Sequence, residues 1–556
     1  MKLFHQLLVA PAALGLLAPM AANATDLNIN GVTDYAATGD QVTSITQFSD
    51  VYPTDWAYQA LSNLIERYGC VAGYPNGTYR GNRAMTRFEA AALLNACLDR
   101  VTEVTDELKR LMKEFEKELA ILKGRVDGLE ARVGELEATQ FSTTTKLKGA
   151  AYFVIGANSF GGDARQGLAD VLGVVPSNGV VGEKRAKAAS RQSGATTFNY
   201  DLRLFLDTSF TGKDLLRTML RAGNFGKSAF GGNGYVGLEA METAFEEPDG
   251  GKDVIGVNRL WYQFPIGSNF TATVGGVVRQ DDMLAVWPSA YPSDTVIDFF
   301  TYAGAPQTYN LALGAGAGLW WENDGFSISA NYVSGNGFNS NPNEGGIATN
   351  GAGSSGTVQI AYAPENWGVA AAYNYASGDN GVGIYGGNGT PTANLFSGLG
   401  TTNSFGLSAW WTPEDAGWIP SISAGWGYND VNIESATIPG FTGTIDGATS
   451  QSWYVGIQWA DVFLKGNALG AAVGQPTFVT EWDNNSSLNK GNDFVADGNY
   501  AWELWYMFQV TDNISVTPAV FYLSRPLGFA TNNFRDNGTG TTFNNFGGLV
   551  KTTFKF

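Results

Sequence analysis

Between Lys146 and Phe556 the sequence runs in about sixteen short, aromatic-rich segments of alternating polarity, joined by turns that are alternately short and long. In Leu549-Val550-Lys551-Thr552-Thr553-Phe554-Lys555-Phe556, the period of two puts Val550, Phe554 and Phe556 on one face and Lys551 and Lys555 on the other. Strands that are apolar on one side and charged on the other suit lipid outside and water inside. The pattern therefore predicts a transmembrane β-barrel whose function lies in its pore. No stretch of the mature chain is apolar for the roughly 18 residues a membrane helix needs. A barrel escapes that requirement because alternate residues face the lumen.

Short turns are expected at Thr211-Gly212-Lys213-Asp214, Pro265-Ile266-Gly267-Ser268, Glu322-Asn323-Asp324-Gly325, Pro364-Glu365-Asn366, Pro413-Glu414-Asp415-Ala416-Gly417, Asp461 to Gly466, and Thr511-Asp512-Asn513. The Gly- and Asn-rich stretches between them are the long outer loops. An even strand number puts both ends of the barrel in the periplasm. The fold class is mainly β: a 16-stranded antiparallel transmembrane β-barrel over 141–556, preceded by a small α-helical module and a coiled-coil stalk.

Residues 1–24 read as a secretory signal, with Lys2 as the charged start, Leu7 to Leu17 as the apolar centre and Ala22-Asn23-Ala24 as the cleavage site. The single His, His5, leaves with that peptide, so no imidazole remains for a Ser/His or Cys/His nucleophile or a His-ligated metal. The reading is not an enzyme, with no catalytic residues, no metal and no cofactor. Cys70 and Cys97, the two cysteines, fit either an exported disulfide or two small buried apolar residues. Two thiols without a His make a poor zinc site. A formal net charge of -18 argues against nucleic-acid partners.

After a linker over 25–47, residues 48–100 read as a helical hairpin: Asp50 or Asp55 can cap the first helix, and Thr86 with Glu89 forms a capping box for the second. The spaced motifs Phe48-Ser49-Asp50-Val51, Trp56-Ala57, Gly73-Tyr74-Pro75-Asn76-Gly77 and Met85-Thr86-Arg87-Phe88-Glu89 resemble an S-layer homology module. That resemblance implies a partner, the acidic polysaccharide attached to peptidoglycan, with Trp56, Thr86 and Arg87 at or near the sugar. A planar guanidinium at Arg87 suits a sugar-borne carboxylate. On the residues alone, Thr86 can equally serve as a cap and Arg87 as a surface partner of Glu89.

Over 101–140, Val101, Val104, Leu108, Leu111, Phe115, Leu119, Leu122, Val126, Leu129, Val133 and Leu136 recur at spacings of three and four, predicting a coiled coil of roughly 55 Å at about 1.5 Å per residue. Steps of four around Phe115 form a stutter. S-layer homology modules usually occur in threes, and this chain has one. A homotrimer held by the stalk would supply the others.

The run Thr511-Asp512-Asn513-Ile514-Ser515-Val516-Thr517-Pro518-Ala519-Val520 and the terminal strand resemble the carbohydrate-selective porins, and one S-layer homology module fused to such a barrel resembles cyanobacterial outer-membrane porins. A terminal aromatic also resembles a sorting signal of bacterial outer-membrane barrels. The resemblance implies location in the cell outer membrane with the N-terminal module in the periplasm, and passage of small solutes and ions, with carbohydrate or iron uptake as narrower readings; the N-terminal module and stalk also support a mainly structural wall anchor as an alternative.

Charge placement outlines the pore. Arg203, Arg217, Arg221, Arg259 and Arg279 alternate with Leu202, Leu204, Leu216, Leu220, Leu260 and Val278, expected to face lipid, so the arginines form a basic lumen wall. From Arg279 to Lys465 no Lys or Arg intervenes. The third outer loop, about 280–307, carries Asp281, Asp282, Asp294 and Asp298 among Trp287, Tyr291, Phe299 and Phe300. Folded inward, it would set an acidic face across the constriction from the basic wall. Left on the rim, it would be an ordinary outer loop. From Phe141 onward about 34 acidic stand against 21 basic side chains, which predicts mild cation preference.

Overall fold

The computed structural model describes residues 44–54, eight helical residues between 58 and 117, and 144–556 apart from 167–181, 249–250, 294–295, 378–387, 416, 437–443, 486–489 and 533–541. The chain divides into two compact units, Met1–Gln140 and Phe141–Phe556. In the first, Ser44 caps a 3-10 turn at Ile45–Gln47, and Ile45, Phe48, Leu61 and Ile65 form a small buried cluster flanked by Val51 and Tyr58. The secretory signal, Trp56, Cys70, Thr86, Arg87, Cys97 and almost all of the heptad run lie outside the described residues, as does Asp294.

The second unit is a single antiparallel sheet. Its strands are β1 (Thr145–Gly162), β2 (Thr197–Thr208), β3 (Leu215–Gly223), β4 (Gly256–Ile266), β5 (Phe270–Arg279) and β6 (Leu313–Asn323). There follow β7 (Phe326–Ser334), β8 (Ser354–Tyr362), β9 (Trp367–Ser377), β10 (Gly400–Trp411), β11 (Ser421–Ala436) and β12 (Ile445–Ala460). The last are β13 (Ala468–Asn485), β14 (Lys490–Phe494), β15 (Tyr500–Thr511), β16 (Ile514–Ser524) and β17 (Phe543–Lys555). Each barrel strand pairs with its sequence neighbours, β13 pairs directly with β15, and β17 returns to β1, so sixteen strands close a ring. The seventeenth, β14, only lengthens a hairpin at the outer end of β13.

The turns fall where the residues require them. Asp324 and Gly325 both take positive φ (49° and 81°), the two-residue geometry whose twist matches antiparallel strands. At the β2–β3 turn, Oδ1 of Asp214 accepts the backbone N–H groups of Phe210 (3.0 Å) and Thr211 (2.7 Å), and Oδ2 accepts the Tyr262 hydroxyl (2.7 Å). These donors hold its carboxyl well below the usual range despite the desolvation that opposes them.

Alternation assigns the two faces. On β9, Trp367, Val369, Ala371, Tyr373 and Tyr375 face outward while Ala370, Ala372, Asn374 and Ala376 are buried inside. On β17, Phe546 and Val550 face out, and Asn545, Leu549, Lys551 and Thr553 face in. One expectation fails. A register shift between Gly275 and Val278 turns Val278 into the interior, fully buried beside Trp261 and Met283, and Val277 takes the place opposite Leu260.

Candidate functional site: the lumen and its inner loops

The third outer loop leaves β5 in one 3-10 turn, Gln280–Met283, and lies inside the barrel. Its path is marked by inward-facing side chains of successive strands. Ala285 N–H donates to Ser329 on β7 (3.0 Å), Gln359 on β8 donates to the Val286 carbonyl (2.8 Å), and Tyr291 N–H donates to Ser423 on β11 (3.1 Å). At the far wall Glu503 of β15 accepts the Tyr291 hydroxyl and the Ile297 N–H, both at 2.8 Å, while Trp505 donates its indole N–H to the Tyr291 oxygen at 2.9 Å. On the way back, the Gly304 carbonyl accepts from Ser452 (2.8 Å) and the Ala303 carbonyl from Ser408 (3.2 Å).

This close approach depends on small inward residues. A Cβ on Gly425 would stand 1.8 Å from the Ala303 oxygen. Gly425→Val is therefore expected to displace the loop, forfeiting about 1 kcal/mol for each of the two carbonyl contacts nearby. Larger and noisier unitary conductance in planar bilayers checks this, and unchanged conductance contradicts it.

The second outer loop, 224–255, also enters the lumen. Met241 bridges to Ile297, and Asp298 N–H donates to the Ala240 carbonyl at 2.9 Å, joining the two loops backbone to backbone. Phe225, Phe230, Val236, Leu238 and Met241 then share a buried core with Ile297, Phe299, Phe300, Phe521 and Phe543. Glu239, fully buried, accepts from the amides of Asn158 (3.1 Å) and Asn545 (2.6 Å), and burial pushes its carboxyl well above the usual range. Sequence reasoning missed this loop. Its signal was present as an apolar series, Phe225, Phe230, Val236, Leu238 and Met241, inside a Gly-rich segment.

The arginines share one side of the lumen, each beside a carboxylate. Arg221 and Arg203 both hold Asp201, at 2.6 and 2.9 Å, and Arg217 holds Asp207 at 2.8 Å. Arg259 meets Asp282 at 2.7 Å and Arg279 meets Asp281 at 2.5 Å. Planar forks on carboxylates give strong, directional pairs in a part-buried setting. The expected opposition of an acidic loop and a basic wall across an opening is therefore corrected. Asp281 and Asp282 follow Arg279 and Gln280 at the root of the loop, so they touch the wall instead of facing it. Asp298 turns away into the core, where Oδ2 accepts from Tyr302 (3.2 Å) and Asn388 (2.8 Å).

Between the arginine side and the third loop lies a cavity of about 510 Å³ lined by Tyr152, Arg203, Glu242, Arg279, Asp281 and Trp287, among others. Glu242, from the second loop, lies 3.9 Å from Arg203. The passage is thus bordered by both signs of charge and by aromatic edges, which suits hydrated ions and polar solutes over apolar ones.

Comparisons with known proteins give the family. The carbohydrate-selective porin, OprB family matches residues 103–556, and the S-layer homology domain matches 47–91. The protein alr4550 of a Nostoc species is 35% identical over 531 residues, covering 87% of this chain and 82% of its own. Outer membrane protein SlpA of Thermus thermophilus is 34% identical over 103 residues, 16% of this chain and 11% of its own. Among solved structures, OprB of Pseudomonas putida aligns with a TM-score of 0.44 at 10% identity, over 76% of this chain and 96% of that one. A closed barrel of sixteen strands, a lumen narrowed by its own outer loops and a family match spanning most of the sequence agree: this chain is an outer-membrane porin of the carbohydrate-selective porin, OprB family, carrying an S-layer homology domain.

Proposed function

We propose that this porin passes inorganic ions and small polar solutes by passive diffusion, and that its N-terminal module ties the outer membrane to peptidoglycan-linked polysaccharide. The observation that carries the first part is the narrowed lumen, where every wall arginine has a carboxylate beside it and the passage keeps charge of both signs. With the wall arginines paired, the net acidity of the barrel sets a mild preference for cations. Reversal potentials in a KCl gradient test this, and anion preference would overturn it. The carbohydrate-selective family favours a narrower reading, carbohydrate uptake. Swelling of proteoliposomes that is much faster in one sugar than in others of equal size would decide for that reading.

The tether rests on the S-layer homology match and on Trp56, Thr86 and Arg87 standing at the motif positions. One module per chain and the heptad run support a homotrimer that presents three heads together; a monomeric mass in detergent would remove it. Arg87→Ala should weaken binding to peptidoglycan sacculi about ten- to a hundredfold per head, the loss of one charge-assisted contact. Avidity in a trimer would enlarge that loss. Equal co-sedimentation of wild type and variant would leave the tether without its proposed residue.

A further inference from the structure

We propose that a second lumenal cavity, at the periplasmic end of the barrel, is a binding site for a small organic oxyanion, a carboxylate or phosphate ester of a few carbons. The proposal rests on the porin reading and adds a class of solute to it. The cavity measures about 260 Å³, room for roughly eight or nine waters. It lies at the end where the β15–β16 turn places Asp512 and Asn513, and Pro292 of the third loop contributes to its lining.

Two walls of different chemistry face it. Lys551, Thr553 and Lys555 occupy successive inward positions on β17, and the register sets Ser515 of β16 opposite Thr553 and Thr517 opposite Lys551. Hydroxyls and ammonium groups therefore form one patch. The other wall is apolar: Trp505, Met507 and Ala468, with the Trp505 ring fixed by its indole N–H on the Tyr291 oxygen at 2.9 Å.

Apart from Lys551, the polar wall is unused by the protein. Among the described residues, the hydroxyls of Ser515, Thr517 and Thr553, the side-chain amide of Gln458 and the ammonium of Lys555 make no hydrogen bond to another protein group. Asn513, by contrast, is occupied, donating to the Lys555 carbonyl at 2.6 Å. Unpartnered donors converging on an enclosed space beside an aromatic face are what an amphipathic solute requires. Ammonium groups can only donate, so the partner must accept, and an oxyanion accepts best. Two lysines against the single carboxylate of Asp512 leave the lining with one net positive charge, which disfavours a metal cation. The apolar wall distinguishes an organic anion from inorganic phosphate.

A local site of this kind is compatible with net cation preference, since the latter reports the field of the whole channel and the former a contact. A solute passing the third loop would rest here before entering the periplasm.

The test is block of unitary KCl conductance of the full-length protein by succinate and by glycerol 3-phosphate, with inorganic phosphate and glycerol as comparison probes. Both organic anions are expected to block, inorganic phosphate more weakly, and glycerol not at all. Lys555→Gln and the double variant Ser515→Ala/Thr553→Ala should each raise the half-blocking concentration about tenfold. Lys555 neighbours the chain end, so if its variant fails to insert, the double variant carries the test. Normal conductance without block by either organic anion, block unchanged in the variants, or phosphate blocking as strongly as the organic anions would each overturn the site. Absence of any conductance would instead overturn the porin reading.

Discussion

Glu503→Ala is expected to release the third outer loop from the far wall and produce a larger, noisier channel. The carboxylate of Glu503 is buried and receives two donors from that loop, the Tyr291 hydroxyl and the Ile297 N–H, each at 2.8 Å. Hydrogen bonds to a charged acceptor contribute about 1.5–3 kcal/mol each, and both are lost together. A loss of about 3 kcal/mol raises the population of undocked loop roughly a hundredfold. The Trp505 donor to the same phenol and the serine contacts on β11 and β12 remain, so the loop should exchange between positions instead of leaving the lumen. Single-channel recording would show higher unitary conductance with added open-channel noise, and faster entry of larger solutes in liposome swelling. Glu503→Gln keeps one carbonyl acceptor and should fall between. Wild-type conductance and noise in Glu503→Ala would contradict the role given to this contact.

The second large effect concerns Asp497, whose buried carboxyl ties three outer segments together. It accepts the Val479 N–H at 2.8 Å, the Phe529 N–H at 2.7 Å and the Thr390 hydroxyl. Around it Phe396, Trp482 and Phe529 stack edge to face, so the knot joins the segment before β10, the end of β13 and the segment before β17. Burial pushes its carboxyl up to about 6, and the three donors restrain the rise. An acid with a raised value binds its proton more tightly in the closed knot than when opened to water. That stabilisation is complete below about 3.9, the ordinary Asp value, and is lost as pH climbs through about 6. Two units correspond to roughly 3 kcal/mol. The outer segments should therefore exchange amide hydrogens faster at pH 7.5 than at pH 5, after correction for intrinsic exchange. Asp497→Asn cannot ionise and should abolish the difference. Equal protection of the wild type at the two pH values would contradict it.

How much could be read beforehand differs between the walls and what fills them. The segment from Arg279 to Lys465, empty of Lys and Arg, shows both sides of that division. Its lack of cations was visible as composition. Its meaning appears only in three dimensions, where Ser329, Gln359, Ser408, Ser423 and Ser452 of this segment form the surface on which the third loop lies. A long charged side chain there would occupy the space the loop backbone needs. Four of the arginines on the opposite side, Arg203, Arg217, Arg221 and Arg259, were legible through alternation with outward leucines, Arg279 stands beside the valine that turns inward, and the partners of all five were not legible. Asp201 lies 20 residues from Arg221 and Asp282 lies 23 from Arg259, and strand register decides such pairs. Val278 shows the limit from another side, since one bulge reverses the facing that period two assigns.

Strand number, turn positions, the facing of most side chains and the motifs of the N-terminal module were determined by sequence alone, because each depends on residues a few positions apart. A period of two and an Asn-Asp-Gly turn carry their physics locally. The course of the two inner loops was decided only by the tertiary structure. Tyr291 meets Glu503 across 212 positions and Asn545 meets Glu239 across 306, and no local pattern encodes a contact that exists only once the barrel has closed and given those loops an interior to enter.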